Sequence, residues 1–220
     1  MGGLAMNHSS FFNRRLHSLL GVIPVGFFLI EHLLTNYYAT RGADAFREQV
    51  EWLWDIPFLL FLEIFFIFLP LLYHGVYGLY IAFQAKNNVT NYGYFRNVMF
   101  MLQRVTGVIT FIFVGWHVWE TRIYVALNDL AANEVGMRMH ELLSNPVTFA
   151  LYVVGVVAAV FHFSNGMWSF LVSWGITVGP RAQAVSTWVW VVVFVVVTYV
   201  GIQALFAFVD PEFATQSAQF

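Results

Sequence analysis

Apolar residues run along this chain in long unbroken stretches rather than in short alternating ones. Five stretches stand out, at residues 16–38, 57–85, 97–125, 146–174 and 183–209. Each meets or exceeds the roughly 20 residues that a helix needs to cross the hydrocarbon core of a bilayer, whereas a barrel strand needs only about ten, in alternation. The last stretch, VSTWVWVVVFVVVTYVGIQALFAF, is rich in β-branched residues. At that length in lipid only a helix satisfies its backbone. The pattern predicts an all-α transmembrane bundle of five helices, with residues 1–220 forming a single integral-membrane domain. The remaining residues make an N-terminal stub, four connections and a tail, so any chemistry must lie within the bundle or in a partner.

Composition agrees with the pattern and narrows it. The chain is 60% hydrophobic and only 10% charged, with a mean hydropathy of +0.70. Soluble domains carry about a quarter charged residues. Arg14 and Arg15 precede the first stretch as they would in a signal peptide. The stretch is too long for a signal core, however, and no small-residue cleavage site follows it, so it is expected to remain as the first helix. The absence of cysteine excludes a disulfide, an iron–sulfur cluster and a covalently attached c-type haem from this chain.

The flanking charges predict an orientation. The N-terminus and the connections after the second and fourth stretches hold Arg14, Arg15, Lys86, Arg96, Arg104 and Arg181 and no acid. The opposite set holds Arg41, Arg47, Arg122 and Arg138 among many Asp and Glu residues. An excess of Lys and Arg marks the cytoplasmic side, which places the N-terminus in the cytoplasm and the C-terminus outside.

Histidine is the candidate chemistry. His8, His17 and His140 lie in or near the flanks, but His32, His74, His117 and His162 fall one on each of the first four stretches. An ionisable side chain inside a membrane helix is costly and marks function by default; for each residue alone, hydrogen bonding between helices is the competing explanation. Depth separates the four. At about 1.5 Å per residue, His32 and His117 lie roughly five or six residues past the centres of outward-running helices. His74 and His162 lie roughly two to four residues past the centres of inward-running ones. The depths pair His32 with His117 and His74 with His162. Gly78 and Gly166 each follow an inner histidine by four residues, on the same helix face, and remove bulk as a flat macrocycle would require. Close helix packing accounts for them equally well. Pro70, one turn before His74, should distort the second helix. A zinc or copper cluster would want three or four ligands at one level. Pairs at two levels point instead to two b-type haems, each with two axial histidines.

Four segments carry a family resemblance: HSLLGVIPVGFFLIEHLLTN, FLPLLYHGVYGLYIAFQAKNN, YFRNVMFMLQRVTGVITFIFVGWHVWETR and FHFSNGMWSFLVSWGITV. They resemble the cytochrome b membrane anchors of succinate dehydrogenase, in the five-helix, single-subunit, di-haem form (cytochrome b558) of Gram-positive bacteria. The similarity is poorest over 126–145 and the last ten residues. It implies the haem ligands His32, His117, His74 and His162, paired first with third and second with fourth. It also implies a multi-pass protein of the bacterial cell membrane, bound to a flavoprotein subunit with FAD and an iron–sulfur subunit with its clusters. No nucleic-acid partner is expected.

Within that family, electrons would pass through the inner and then the outer haem to menaquinone. Menaquinone is a weak acceptor for succinate electrons. Moving two electrons from the inner to the outer side is worth roughly 4–5 kcal/mol per 100 mV of membrane potential, which would help to drive the reduction. Rival redox readings are the cytochrome b subunits of fumarate reductase, formate dehydrogenase, hydrogenase or bc-type complexes. A bc-type core carries two histidines on each of two helices, unlike this chain. A haem-free transporter or anchor is the rival of another class. Three acids, Glu31, Glu63 and Glu120, sit toward the outer ends of their helices. Glu120 shares a face with His117, whereas Glu31 turns away from His32. Glu63 and Glu120 are therefore the expected proton path to the quinone. Their competing role is to accept hydrogen bonds or to pair with Arg122.

Overall fold

The computed structural model describes residues 8–218, and all the regular structure among them is helical. Five helices are long and apolar enough to cross a membrane: Ser10–Arg41, Leu59–Gln84, Phe95–Leu127, Pro146–Ser173 and Pro180–Phe208. They match the five apolar stretches to within a few residues. Their outward faces carry large apolar side chains that only lipid would cover, such as Phe27, Phe83, Ile112 and Trp188.

Three of the spans depart from a regular α-helix, and the local sequence explains how. The first is interrupted at Ile23, between His8–Val22 and Pro24–Tyr37, because Pro24 has no N–H to continue the ladder. The second is π-wound over Glu63–Phe68. Pro70 leaves the carbonyl one turn earlier without its usual donor, and the wider turn precedes it. The third is π-wound over Trp119–Ile123, where the Thr121 hydroxyl donates to the carbonyl of His117 at 2.6 Å. That hydroxyl competes with the backbone for its own helix's acceptors.

The segments expected to be plain connections and a tail contain three further helices, Ala43–Trp54, Ala132–Leu143 and Pro211–Ser217. All three close over one end of the bundle. Ala43, Phe46 and Val50 are buried on the first of them, and Gly136, Met139 and Leu143 on the second. The two sets share the spacing i, i+3, i+7 of a single helix face. Gly42, at φ 107°, turns the chain into the first cap helix, a conformation that suits glycine. The Glu134 carboxylate caps the second by accepting from the N–H of Ala131 at 2.7 Å. Asp210 caps the third by accepting from Glu212 N–H at 2.8 Å. Phe46, Phe208 and Phe213 meet where the cap joins the fifth span, Phe208 edge to face with each of the other two, with ring centroids 5.0–6.3 Å apart.

This capped end holds the main buried cluster, which includes Leu33, Phe46, Leu143, Tyr152, Val156 and Leu205. The fourth span packs between the third and the fifth, the fifth also lies against the first, and the second lies against the first and third. Each of the four membrane histidines is thereby turned toward a neighbouring span.

Candidate functional site

The structure brings the four histidines together in two pairs. His32 on the first span and His117 on the third have ring centroids 5.7 Å apart and planes inclined at 71°. His74 on the second and His162 on the fourth are 6.0 Å apart at 79°. Two imidazoles opposed across one metal ion, each nitrogen at about 2 Å, would have centroids roughly 6 Å apart. Both pairs have that separation. Among the described residues, no group of three or more His, Cys, Asp or Glu side chains could hold a metal ion. The four membrane histidines fall instead two and two.

The neighbours of the rings fit the same use. His74 Nδ1 lies 2.9 Å from the backbone carbonyl of His17, and His162 Nδ1 lies 3.0 Å from that of Gln103. Each carbonyl holds a proton on Nδ1 and so leaves Nε2 as a lone-pair donor. His117 Nδ1 faces the Tyr152 hydroxyl at 3.2 Å. His32 makes a long contact, Nε2 to Asn36 Nδ2 at 3.4 Å; that amide is better committed to the His32 carbonyl, at 2.8 Å. Glycines admit the rings of the second pair. A Cβ on Gly21 would meet His74 Cε1 at 2.3 Å, and one on Gly107 would meet His162 Cε1 at 2.8 Å. Gly115, two residues before His117, faces open space. The space beside Gly78 holds His17, and that beside Gly166 holds the Gln103 amide. These two glycines thus admit partners of the histidine pair from neighbouring helices.

The family model for the transmembrane subunit of succinate dehydrogenase/fumarate reductase matches residues 85–201. The succinate dehydrogenase cytochrome b558 subunit of Bacillus subtilis (strain 168) is 57% identical over 199 residues, 90% of this chain and 97% of that protein. The chain belongs to the succinate dehydrogenase/fumarate reductase transmembrane-subunit family. Like the rest of that family it is a multi-pass membrane protein, and its five spans supply the passes.

His17 is a neighbour of His74 in this transmembrane subunit that sequence reasoning missed. Grouped there with the flanking histidines, it stacks on His74 with centroids 4.1 Å apart and planes 6° apart. One signal was present: His17 precedes Gly21 by four residues, just as His74 precedes Gly78 and His162 precedes Gly166. His140 has a structural place in the cap, its Nδ1 lying 2.7 Å from the Phe208 carbonyl. The side chain of His8 lies outside the described residues.

The acids sit near the capped end. Glu63 forms a two-pronged ion pair with Arg122, through Nη2 at 2.7 Å and Nε at 2.9 Å. Glu120 pairs with Arg138 at 2.7 Å, and Glu31 accepts from Thr35 on its own helix at 2.7 Å. Beside the Glu63–Arg122 pair lies a cavity of about 440 Å³ lined by Trp54, Leu59, Leu60, Arg122, Val125 and Leu130, among others. A smaller cleft of about 170 Å³ at the opposite end is lined by Arg96, Gln103, Asn165 and Trp168. At that end Arg15 donates to the Ser173 carbonyl at 2.7 Å, while Arg96 lies over the Trp168 ring at 3.5 Å. The ion pairs among the described residues all lie at the capped end.

Proposed function

We propose that this chain is the di-haem cytochrome b anchor of a bacterial succinate dehydrogenase, delivering electrons from the catalytic subunits to menaquinone. The observation that carries the proposal is the pair of opposed imidazoles at each of two depths, 5.7 and 6.0 Å apart. His32 and His117 would hold one haem b, and His74 and His162 the other. Haem b bound between two imidazoles supplies a one-electron centre whose potential its surroundings tune. The residues around it position rather than react: His17 and Gln103 fix the proton of a ligand imidazole through their carbonyls, and Gly21 and Gly107 leave room for the rings.

Partner binding follows from charge. The end opposite the cap carries Arg14, Arg15, Lys86, Arg96, Arg104 and Arg181 without an acid, and it is the face proposed for the iron–sulfur and flavoprotein subunits, on the cytoplasmic side. The iron–sulfur clusters belong to those subunits, since this chain has no cysteine to hold them, and FAD is assigned to the flavoprotein subunit. The whole chain then works as one membrane domain, with its cap on the outer side.

Menaquinone fits the capped end. The cavity beside Arg122 is largely apolar and has charged groups at one wall, as a quinone ring with polar carbonyls requires. Glu63, ion-paired to the lining residue Arg122, and Glu120, paired with Arg138, are the proposed route for the two protons that reduction consumes.

A pyridine haemochrome assay on the purified complex tests the reading directly. Two haem b per chain, together with succinate-dependent quinone reduction, is the expected result. One haem or none overturns the four-ligand assignment, and none leaves the haem-free transporter or anchor in its place.

A further inference from the structure

For a neutral imidazole to bind iron through Nε2, its proton must sit on Nδ1, and an acceptor there orients the ring and fixes that tautomer. His74 and His162 face backbone carbonyls, which no side-chain substitution can remove, and His162 Nδ1 also has the Gln103 side-chain amide at 3.2 Å. His117 is different, because its Nδ1 faces the hydroxyl of Tyr152 at 3.2 Å.

Tyr152 is held firmly in place. It is 1% exposed, and its ring meets those of Phe113 and Trp116 edge to face, each at 5.2 Å. Phe113 in turn lies 5.7 Å from the His117 ring, nearly parallel to it. Gly155, three residues after Tyr152, makes this packing possible, since a Cβ there would meet the Phe113 ring at 2.3 Å. A fully buried phenol in such a setting needs a hydrogen-bond partner. A hydroxyl can either donate or accept. If it donated to Nδ1, the His117 proton would sit on Nε2 and block the metal. Only the accepting arrangement agrees with His117 as a ligand.

We propose that Tyr152 is a positioning residue for the iron ligand His117, accepting its Nδ1 proton and thereby setting how strongly that imidazole donates to the metal. The inference rests on the di-haem reading above. An acceptor on Nδ1–H makes the ring more basic, favours ferric over ferrous iron and lowers the midpoint potential of that haem. The haem at His74 and His162 lies outside its reach. Tyr152 therefore makes the potential at the capped end depend on a single replaceable hydroxyl.

The test is a redox titration of the purified holo-complex, following the α-band of each haem, with low-temperature electron paramagnetic resonance of the oxidised protein. Tyr152→Phe keeps the ring and removes the acceptor. The expected result is two haems, an upward shift of the His32–His117 midpoint, a changed resonance for that haem, and an unmoved His74–His162 haem. If Tyr152→Phe fails to assemble, site-specific 3,5-difluorotyrosine at 152 decides the matter: same shape, weaker acceptor, and a smaller shift of the same sign. An unchanged or lowered midpoint in whichever variant assembles overturns the proposal. A wild-type complex with fewer than two haems would instead overturn the di-haem reading on which it rests.

Discussion

Arg122 grips Glu63 with two nitrogens across the second and third spans, and both residues lie on π-wound turns of their helices. π-Turns place side chains where a regular helix would not, and they recur at functional sites. The fork-to-carboxylate geometry is the strong form of an ion pair. Arg122 also lines the cavity near Trp54 and Leu59, so the pair both ties two spans together and holds the guanidinium that this space meets.

Removing the acids separates these roles. Glu63→Gln and Glu120→Gln should each leave haem content unchanged, and at least one should slow succinate-dependent quinone reduction by about tenfold or more, as loss of a proton donor does. Arg122→Lys keeps the charge and loses the fork, so it should weaken the link between the spans with a milder effect on rate. Full activity in the Glu63→Gln/Glu120→Gln double variant would remove both acids from the proton path.

Ligand substitutions should respect the pairing. His74→Ala or His162→Ala should remove the haem nearer the partner subunits and impair their assembly, while His32→Ala or His117→Ala should remove only the other. Difference spectra of each variant distinguish the two. Loss of the His74–His162 haem in His32→Ala, with the other intact, would refute the pairing.

Steric substitutions reach the same site without touching a ligand. Gly21→Ala and Gly107→Ala each place a methyl group within 2.3–2.8 Å of a ligand ring carbon. Overpacking of this kind costs roughly 1–3 kcal/mol. The expected outcome is weakened or lost haem at His74 and His162 with the other haem retained, measured as a fall in haem-to-protein ratio toward one. Gly93→Ala, where a Cβ would meet only the Val89 carbonyl at 3.9 Å, serves as the control, with normal haem content.

Docking should follow the charge. Cross-links from the iron–sulfur subunit should map to the end bearing Arg14, Lys86, Arg96 and Arg181, and salt should weaken the association, because exposed charges are screened beyond about 8–10 Å at physiological ionic strength. Cross-links concentrated in the 39–56 segment would place the partner on the wrong side.

The spans and the histidine pairs were legible in the sequence because lipid imposes long apolar runs, and depth along a helix can be counted from its ends. The cap was not. Ala43–Trp54 and Ala132–Leu143 are short and rich in charge, and their helical faces gain meaning only from the bundle end that buries Phe46 and Met139. His17 was hidden by its neighbours, since two arginines just before it read as a water-facing flank. The partners of the acids were half legible: Arg122 was considered for both, yet Glu120 turned to Arg138, on a helix the sequence did not announce.

The cap also imposes an order of synthesis. The second and fourth spans, which carry His74 and His162, are complete once residue 173 has been made, and that pair can meet while the fifth span is still unwritten. The other end must wait. Phe213 closes against Phe46 and Phe208, and Gln216 accepts from the first N–H of the Ala43 helix at 3.0 Å, so the clasp over His32 and His117 depends on residues made after the fifth span. A chain stopped at residue 209 would cross the membrane five times and still lack its clasp.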